Sequence, residues 1–273
     1  MSVTIITPTP PKGSALLSDI WSHRELFRAL LNRNIGVRYK QTAVGIAWAV
    51  IQPLAMMIVF TVFFSLFARF SSEGAPYPLY VLCGLLPWQF FARAINEGSQ
   101  SVVNNVQLVQ KVFFPRIILP WVVIASGLVD FAIAFLLLLV LMPFFDVLPA
   151  FKSLIALVAV VLAILTSLGV SLFLSALYVR YRDVHHVLPL LTQVWFFASP
   201  VFYSPTLIPE SYRIFYGLNP MVGVIELFRW AMLPGISAPD WPMLAVSFLV
   251  SLLLIIFGFR YFVRCEPTFA DRL

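Results

Sequence analysis

The sequence predicts an all-α membrane protein with six transmembrane helices, an N-terminal amphipathic interface helix, two short re-entrant helices between spans five and six, and both termini in the cytoplasm. Three observations predict it. Of the 273 residues, 61% are hydrophobic and only 11% charged, which no water-exposed surface tolerates. No Asp, Glu, Lys or Arg occurs between Lys40 and Arg69, Glu73 and Arg93, Lys152 and Arg180, Asp183 and Glu210, or Asp240 and Arg260. A helix crosses the hydrocarbon core with about 20 mainly apolar residues, so each interval holds a span. Ile117 to Phe145, interrupted by Asp130, makes the sixth. The basic residues then orient the chain: fourteen of the eighteen Lys and Arg fall before span one, between spans two and three, between four and five, or after six. The positive-inside rule puts those segments in the cytoplasm, and the net charge of +6 is a topology signal rather than a nucleic-acid footprint.

Residues 1–21 read as a flexible cytoplasmic tail, since Thr7 to Gly13 is a Pro- and Thr-rich run. The first 42 residues are polar and basic, far longer than the leading region of a cleavable signal, so no removed leader is expected. The membrane domain covers 22–262. Ser22 and Glu25 have capping-box spacing, and Phe27, Leu30, Leu31 and Ile35 then share one face flanked by Arg24, Arg28 and Arg33. Such a face suits a helix lying in the membrane surface with its cations among anionic headgroups, or a soluble helix packed on a partner. The two are compatible. Residues 263–273 form a cytoplasmic C-terminal tail.

Between spans two and three, Arg93 to Arg116 reads as a polar loop ending in Val112-Phe113-Phe114-Pro115-Arg116. Pro115 starts the next helix at little cost, because the first helical turn lacks partners for its amides anyway. The exposed Phe pair is either an interfacial anchor or a knob for a cytoplasmic partner. After span five, Pro209 opens a short helix that Gly217 closes, and Asn219-Pro220 caps a second one ending near Gly235. Both are too short to cross and apolar enough to dip into the bilayer. Glu226 and Arg229, three apart, can pair there and lower the cost of burial. A cap that seals helix ends and a lining for a path both fit this region.

Asp130 is the one ionisable residue expected near the bilayer centre, where a charge costs about 3 kcal/mol or more and needs a partner. It reads as an ion, proton or substrate contact, or as a group that fixes helix packing; the absence of a second intramembrane acid or base favours packing. Ala163, Ser167, Ser171 and Ser175, four apart, form a small-residue stripe for close helix approach. The clusters Trp88-Gln89-Phe90-Phe91 and Trp195-Phe196-Phe197 are interfacial belts, or surfaces for the apolar faces of sugar rings. His185 and His186 stand apart from other metal-type ligands, and Cys83 and Cys265 lack a metal-ligand neighbour. None of Lys12, Lys40, Lys111 or Lys152 follows the glycine that a phosphate-binding loop requires. No catalytic, cofactor-binding or metal residue is therefore assigned, and ATP-driven work would need a separate subunit.

Several motifs carry a family resemblance. Val37-Arg38-Tyr39-Lys40-Gln41-Thr42, Gly45-Ile46-Ala47-Trp48 and Gln52-Pro53-Leu54 resemble the start of ABC-2 permeases that export polysaccharide, O-antigen and teichoic acid. Gly84 to Trp88, Lys111 to Arg116, Leu128 to Phe131, Val179 to Val184, Ser199 to Val201 and Leu218 to Met221 continue the match in order. The resemblance implies a homodimeric channel, with an interface helix from about Ser22 to Arg38 and a docking loop around Gln107 to Arg116. The re-entrant pair would be Pro209 to Tyr216 and Pro220 to Met232. It also implies two separate ATPase subunits carrying ATP and Mg, and a lipid-linked glycan moved out across the cytoplasmic (inner) membrane. ATPase coupling then falls to Arg24, Arg28, Gln107, Lys111, Phe113, Phe114 and Arg116, the substrate path to Trp48, Trp88 and Phe131, and the gate to Glu226 and Arg229. Two other classes are an ABC-2 permease for a drug or small lipid, and a membrane-embedded enzyme of lipid-linked sugar metabolism. The enzyme would need a carboxylate or His cluster near one interface.

Overall fold

The computed structural model of the chain describes residues 21–40, 45–67 and 72–273, and every regular element among them is helical. The tail expected over 1–21 lies, except for Trp21, outside the described residues. An amphipathic helix, α1 (Arg24–Lys40), comes first; Ser22 Oγ pairs with His23 Nδ1 at 3.0 Å, and Glu25 turns to Arg24 and Arg28 rather than closing a capping box. Then follow α2 (Trp48–Phe60) with a π-helical continuation Thr61–Phe67, α3 (Tyr77–Gln100), the short α4 (Val106–Lys111) and α5 (Ile118–Leu141). The second half holds α6 (Ala156–Arg180), α7 (Val184–Phe197), α8 (Glu210–Tyr216), α9 (Pro220–Met232), α10 (Trp241–Cys265) and α11 (Phe269–Arg272).

Among the described residues, five helical runs are long and apolar enough to cross a membrane: Gly45–Ser65, Tyr77–Gln100, Ile118–Phe145, Phe151–Arg180 and Trp241–Arg272. The interval between Asp183 and Glu210 holds only α7, 14 residues or about 21 Å at 1.5 Å per residue. That helix stops because Pro200 has no amide to donate and disfavours helical backbone at Ser199. The chain then runs irregularly from Ala198 to Ser204 before the turn Pro205–Leu207.

The supposed loop between spans two and three is shorter than its charges suggested. Arg93 to Gln100 are the last turns of α3, where Arg93 Nε donates to Glu97 Oε1 at 3.1 Å across one helical turn. At the other end of the chain, α10 runs past Arg260 to Cys265, and the segment expected as a tail turns back so that Phe269 is buried against Phe262, centroids 5.2 Å apart.

The core lies between α3, α6, α9 and α10. The stripe Ala163, Ser167, Ser171, Ser175 is buried, and Ser171 Oγ donates to the Ala94 carbonyl at 2.6 Å, directly beside Gly98. Asn219 caps α9 by accepting from Met221 N at 3.1 Å, with Pro220 in the first turn, as its sequence predicts. That helix is enclosed on nearly every side, ending at Met232 rather than nearer Gly235. By contrast, α2, α7 and α10 expose apolar faces, among them Ile58, Leu190 and Leu253.

Candidate functional site

The structure overturns the expectation of a lone acid at Asp130. Asp130 Oδ2 accepts from Arg38 Nη1 at 2.6 Å and is also ion-paired with Arg93 Nη1. Arg38 Nη2 donates to both oxygens of Glu97, at 2.8 and 2.7 Å, and Arg93 Nε holds the same carboxylate. Two guanidiniums and two carboxylates cancel, so the desolvation cost of each is met by the others. Arg38 comes from α1, Arg93 and Glu97 from α3, and Asp130 from α5, which makes this the polar joint between the amphipathic helix and the long helices.

This quartet forms one wall of a cavity of about 390 Å³, whose lining also includes Trp48, Gln52, Gln89 and Phe131. Phe131 is fixed by edge contacts with Phe90 at 6.1 Å and Phe228 at 5.9 Å. Asp130 Oδ1 is buried and accepts no hydrogen bond among the described residues. A second, more open groove of about 630 Å³ runs under α1, lined by Asn34, Gln100, Asn104 and Asn105. The two share Arg38 and Glu97 as a common wall. In the first cavity carboxamides, aromatic faces and balanced charge offer donors and acceptors without net charge, a chemistry that suits hydroxyl-rich ligands.

The two acids of the quartet differ in exposure, 16% for the Asp130 side chain and 44% for Glu97. Replacing Asp130 with Ala should therefore cost about 2 kcal/mol, as expected for hydrogen bonds to charged groups. Replacing Glu97 with Ala should cost less than about 1 kcal/mol, since a solvated ion pair is worth little. Thermal melting in detergent followed by size-exclusion fluorescence ranks the two; Glu97→Ala melting at or below Asp130→Ala would contradict the assignment.

The residues assigned to ATPase coupling differ in exposure. Arg24 and Arg28 are exposed on α1, and Gln107 and Lys111 on α4. Phe113 is 79% exposed whereas Phe114 is 4% exposed, so the pair expected to be exposed together is one outward knob and one inward anchor. Arg116 bonds to Glu266, a residue that sequence reasoning left in the tail because 150 positions separate them. Trp48 and Phe131 line the cavity, but Trp88 is buried against Phe91 and Phe196 and is absent from that lining.

Glu226 and Arg229 are buried, and Arg229 Nη1 donates to Glu226 Oε1 at 2.6 Å. The surroundings explain the pair. The irregular segment after α7 carries carbonyls that no helix satisfies, and side chains take them: Arg229 Nη2 holds those of Pro200 and Val201, at 2.7 and 3.1 Å. Asn219 Nδ2 holds Ala198, and the Tyr77 hydroxyl holds Phe202 at 2.7 Å. Buried backbone without such partners costs several kcal/mol per group in an apolar setting. Gly84 lets the strap approach, since a Cβ there would land on the Val201 carbonyl oxygen and stand 3.0 Å from the Val201 Cα.

Long apolar helices around a charge-balanced polar cavity define a multi-pass membrane protein, and among the described residues no group of three or more His, Cys, Asp or Glu could hold a metal. The chain belongs to the ABC-2 type transporter family, which matches it over residues 25–233. It is 28% identical over 260 residues to an O-antigen export system permease protein, RfbA, of Myxococcus xanthus, covering 94% of this chain and 99% of that one. It is 25% identical over 251 residues to an RfbA of Klebsiella pneumoniae, covering 91% and 95%. The polysialic acid transport protein KpsM of Escherichia coli is 26% identical over 212 residues, covering 76% and 81%.

Proposed function

We propose that this chain is the membrane-spanning permease subunit of an ABC exporter that moves a lipid-linked polysaccharide such as O-antigen across the cytoplasmic membrane. ATP hydrolysis takes place on a separate ATPase subunit, present in two copies and carrying ATP and Mg. The observation that carries this reading is similarity along nearly the whole length of two O-antigen export permeases. The cavity's carboxamide and aromatic lining supports a glycan over a drug or small lipid.

In this reading α7 and the strap after it together make a sixth crossing. The strap's carbonyls bond to Arg229, Asn219 and Tyr77, which lets non-helical backbone lie at membrane depth. Helices α8 and α9 form the re-entrant pair on the outer side, and both termini are cytoplasmic by the distribution of Lys and Arg. Two copies form the channel, and the apolar faces of α2, α7 and α10 meet lipid or the second copy.

Phe113 is the docking knob for the ATPase in this reading, because an aromatic exposed beside the Lys111 cation is a typical interface anchor. Phe113→Ala should leave permease accumulation unchanged and weaken copurification of the cognate ATPase about tenfold or more, as loss of a hot spot does. Phe114→Ala should instead reduce accumulation. A Phe113→Ala chain that retains ATPase as wild type does would remove Phe113 from the interface. A wild-type chain that retains no ATPase, or a deletion strain that still displays its glycan, would end the exporter reading.

A further inference from the structure

Helix α10 is fastened at three levels. Next to its C-terminus, Glu266 Oε1 accepts from the Arg116 backbone amide at 2.8 Å, and the Glu266 carbonyl accepts from Arg116 Nη1 at 2.9 Å. Midway, Thr166 Oγ1 donates to Ser251 Oγ at 2.8 Å, and Gly169 and Gly258 bring the α6 and α10 backbones into contact. Towards its start, Ser247 Oγ donates to the carbonyls of Gly217, at 2.9 Å, and Asn219, at 3.4 Å, in the link between α8 and α9.

We propose that Glu266 is a positioning residue that couples the Phe113–Arg116 loop to α8 and α9, with α10 as the rigid rod between them. The proposal rests on the reading of that loop as the ATPase-docking surface. Two bonds, both donated by Arg116 to Glu266, fix orientation as well as attachment, and a carboxylate accepting from a backbone amide is the stronger kind of hydrogen bond. Phe269, buried against Phe262, anchors the turn that carries Glu266. At 25 residues, α10 is about 37 Å long, enough to connect the two ends of the membrane domain. Displacement of the loop would otherwise be absorbed at Val112, whose backbone is extended between α4 and Phe113. With Glu266 in place it moves α10, and the Gly169–Gly258 and Ser247 contacts carry it to the links of the short helices. The element that transmits is thus a packed helix rather than a chain of loose contacts.

The test uses cells in which the chromosomal permease gene carries the variant. Surface glycan is labelled by periodate and hydrazide and normalised to permease in the membrane, while ATP hydrolysis and ATPase copurification are measured on the purified full complex. Glu266→Ala should keep copurification and hydrolysis and lower surface glycan about tenfold, within the usual range of coupling between sites. Glu266→Gln keeps the oxygen that accepts the Arg116 amide and should stay near wild type. Wild-type glycan in Glu266→Ala overturns the proposal, and so does a parallel loss of glycan, hydrolysis and copurification, which marks a purely structural contact. If Glu266→Ala fails to accumulate, Arg116→Lys decides by the same ratio, since it removes the guanidinium bond and leaves the amide bond. Glycan per ATP below wild type supports coupling, and an unchanged ratio overturns it. A wild-type complex without ATPase overturns the docking reading and the proposal with it, and is recognised before any substitution is made.

Discussion

Arg229→Ala is expected to abolish accumulation of folded permease. The side chain is wholly buried, with its guanidinium carbon 3.7 Å from the Tyr80 ring centroid. Its removal leaves the Glu226 carboxylate without its cation and frees the carbonyls of Pro200 and Val201. Breaking a buried ion pair from one side costs about 3–5 kcal/mol, and each orphaned buried carbonyl adds about 1–3 kcal/mol. Together these approach the whole stability of a typical domain, about 5–15 kcal/mol. Arg229→Lys should recover only part of the loss, because an ammonium lacks the planar fork that reaches Glu226 and the strap together. Glu226→Gln should cost less than Arg229→Ala, about 3–5 kcal/mol: the buried guanidinium loses its counter-charge, but the amide oxygen still accepts from Nη1 and the strap's carbonyls stay bonded. The double variant Glu226→Leu, Arg229→Met separates the two roles: it removes the unpaired charge but leaves the carbonyls orphaned, so rescue should be partial. Monodisperse Arg229→Ala with a wild-type melting curve would refute the account.

What could be read from the chain follows from how local each signal is. Apolar run length gave three of the five long helices within a few residues of their ends, and Asn219-Pro220 placed the start of α9 because capping needs only neighbouring residues. The small-residue stripe of α6 was legible for the same reason, as its spacing repeats within one helix. The polar joint was not. Arg38 and Asp130 are 92 residues apart, and Arg93 and Glu97 look like loop charges when counted by sign, although their four-residue spacing was a usable hint of helix. Glu226 and Arg229 could be paired from sequence, but their reason, the unsatisfied strap after Pro200, appears only when α9 is packed beside it. Glu266 gave no local signal at all, since its partner is a backbone amide.

Gly258→Val should separate α6 from α10 and cost more than about 3 kcal/mol, the upper end for overpacking a core. A Cβ on Gly258 would land on the Gly169 carbonyl oxygen and stand 2.9 Å from its carbon; one on Gly169 would stand 2.6 Å from the Leu254 carbonyl carbon and the Ile255 nitrogen. All of these are backbone atoms, so no rotamer change makes room and the helices themselves must part. Separation would also stretch the bond between Thr166 and Ser251, the side-chain tie nearest the crossing. Gly127→Ala is the internal control. There the added Cβ meets only side chains, the Phe90 ring at 3.4 Å and the Arg93 Cδ at 3.9 Å, both ordinary contacts, and alanine gains about 1 kcal/mol of helix propensity over glycine. The same substitution type is thus expected to destabilise at Gly258 and to be neutral or stabilising at Gly127. Melting curves of Gly258→Ala, Gly258→Val and Gly127→Ala in one detergent decide it: equal shifts at both sites would mean that α6 and α10 are free to slide. A graded loss from Ala to Val at Gly258 alone would mean that their spacing is set by backbone contact, as a rod that transmits motion requires.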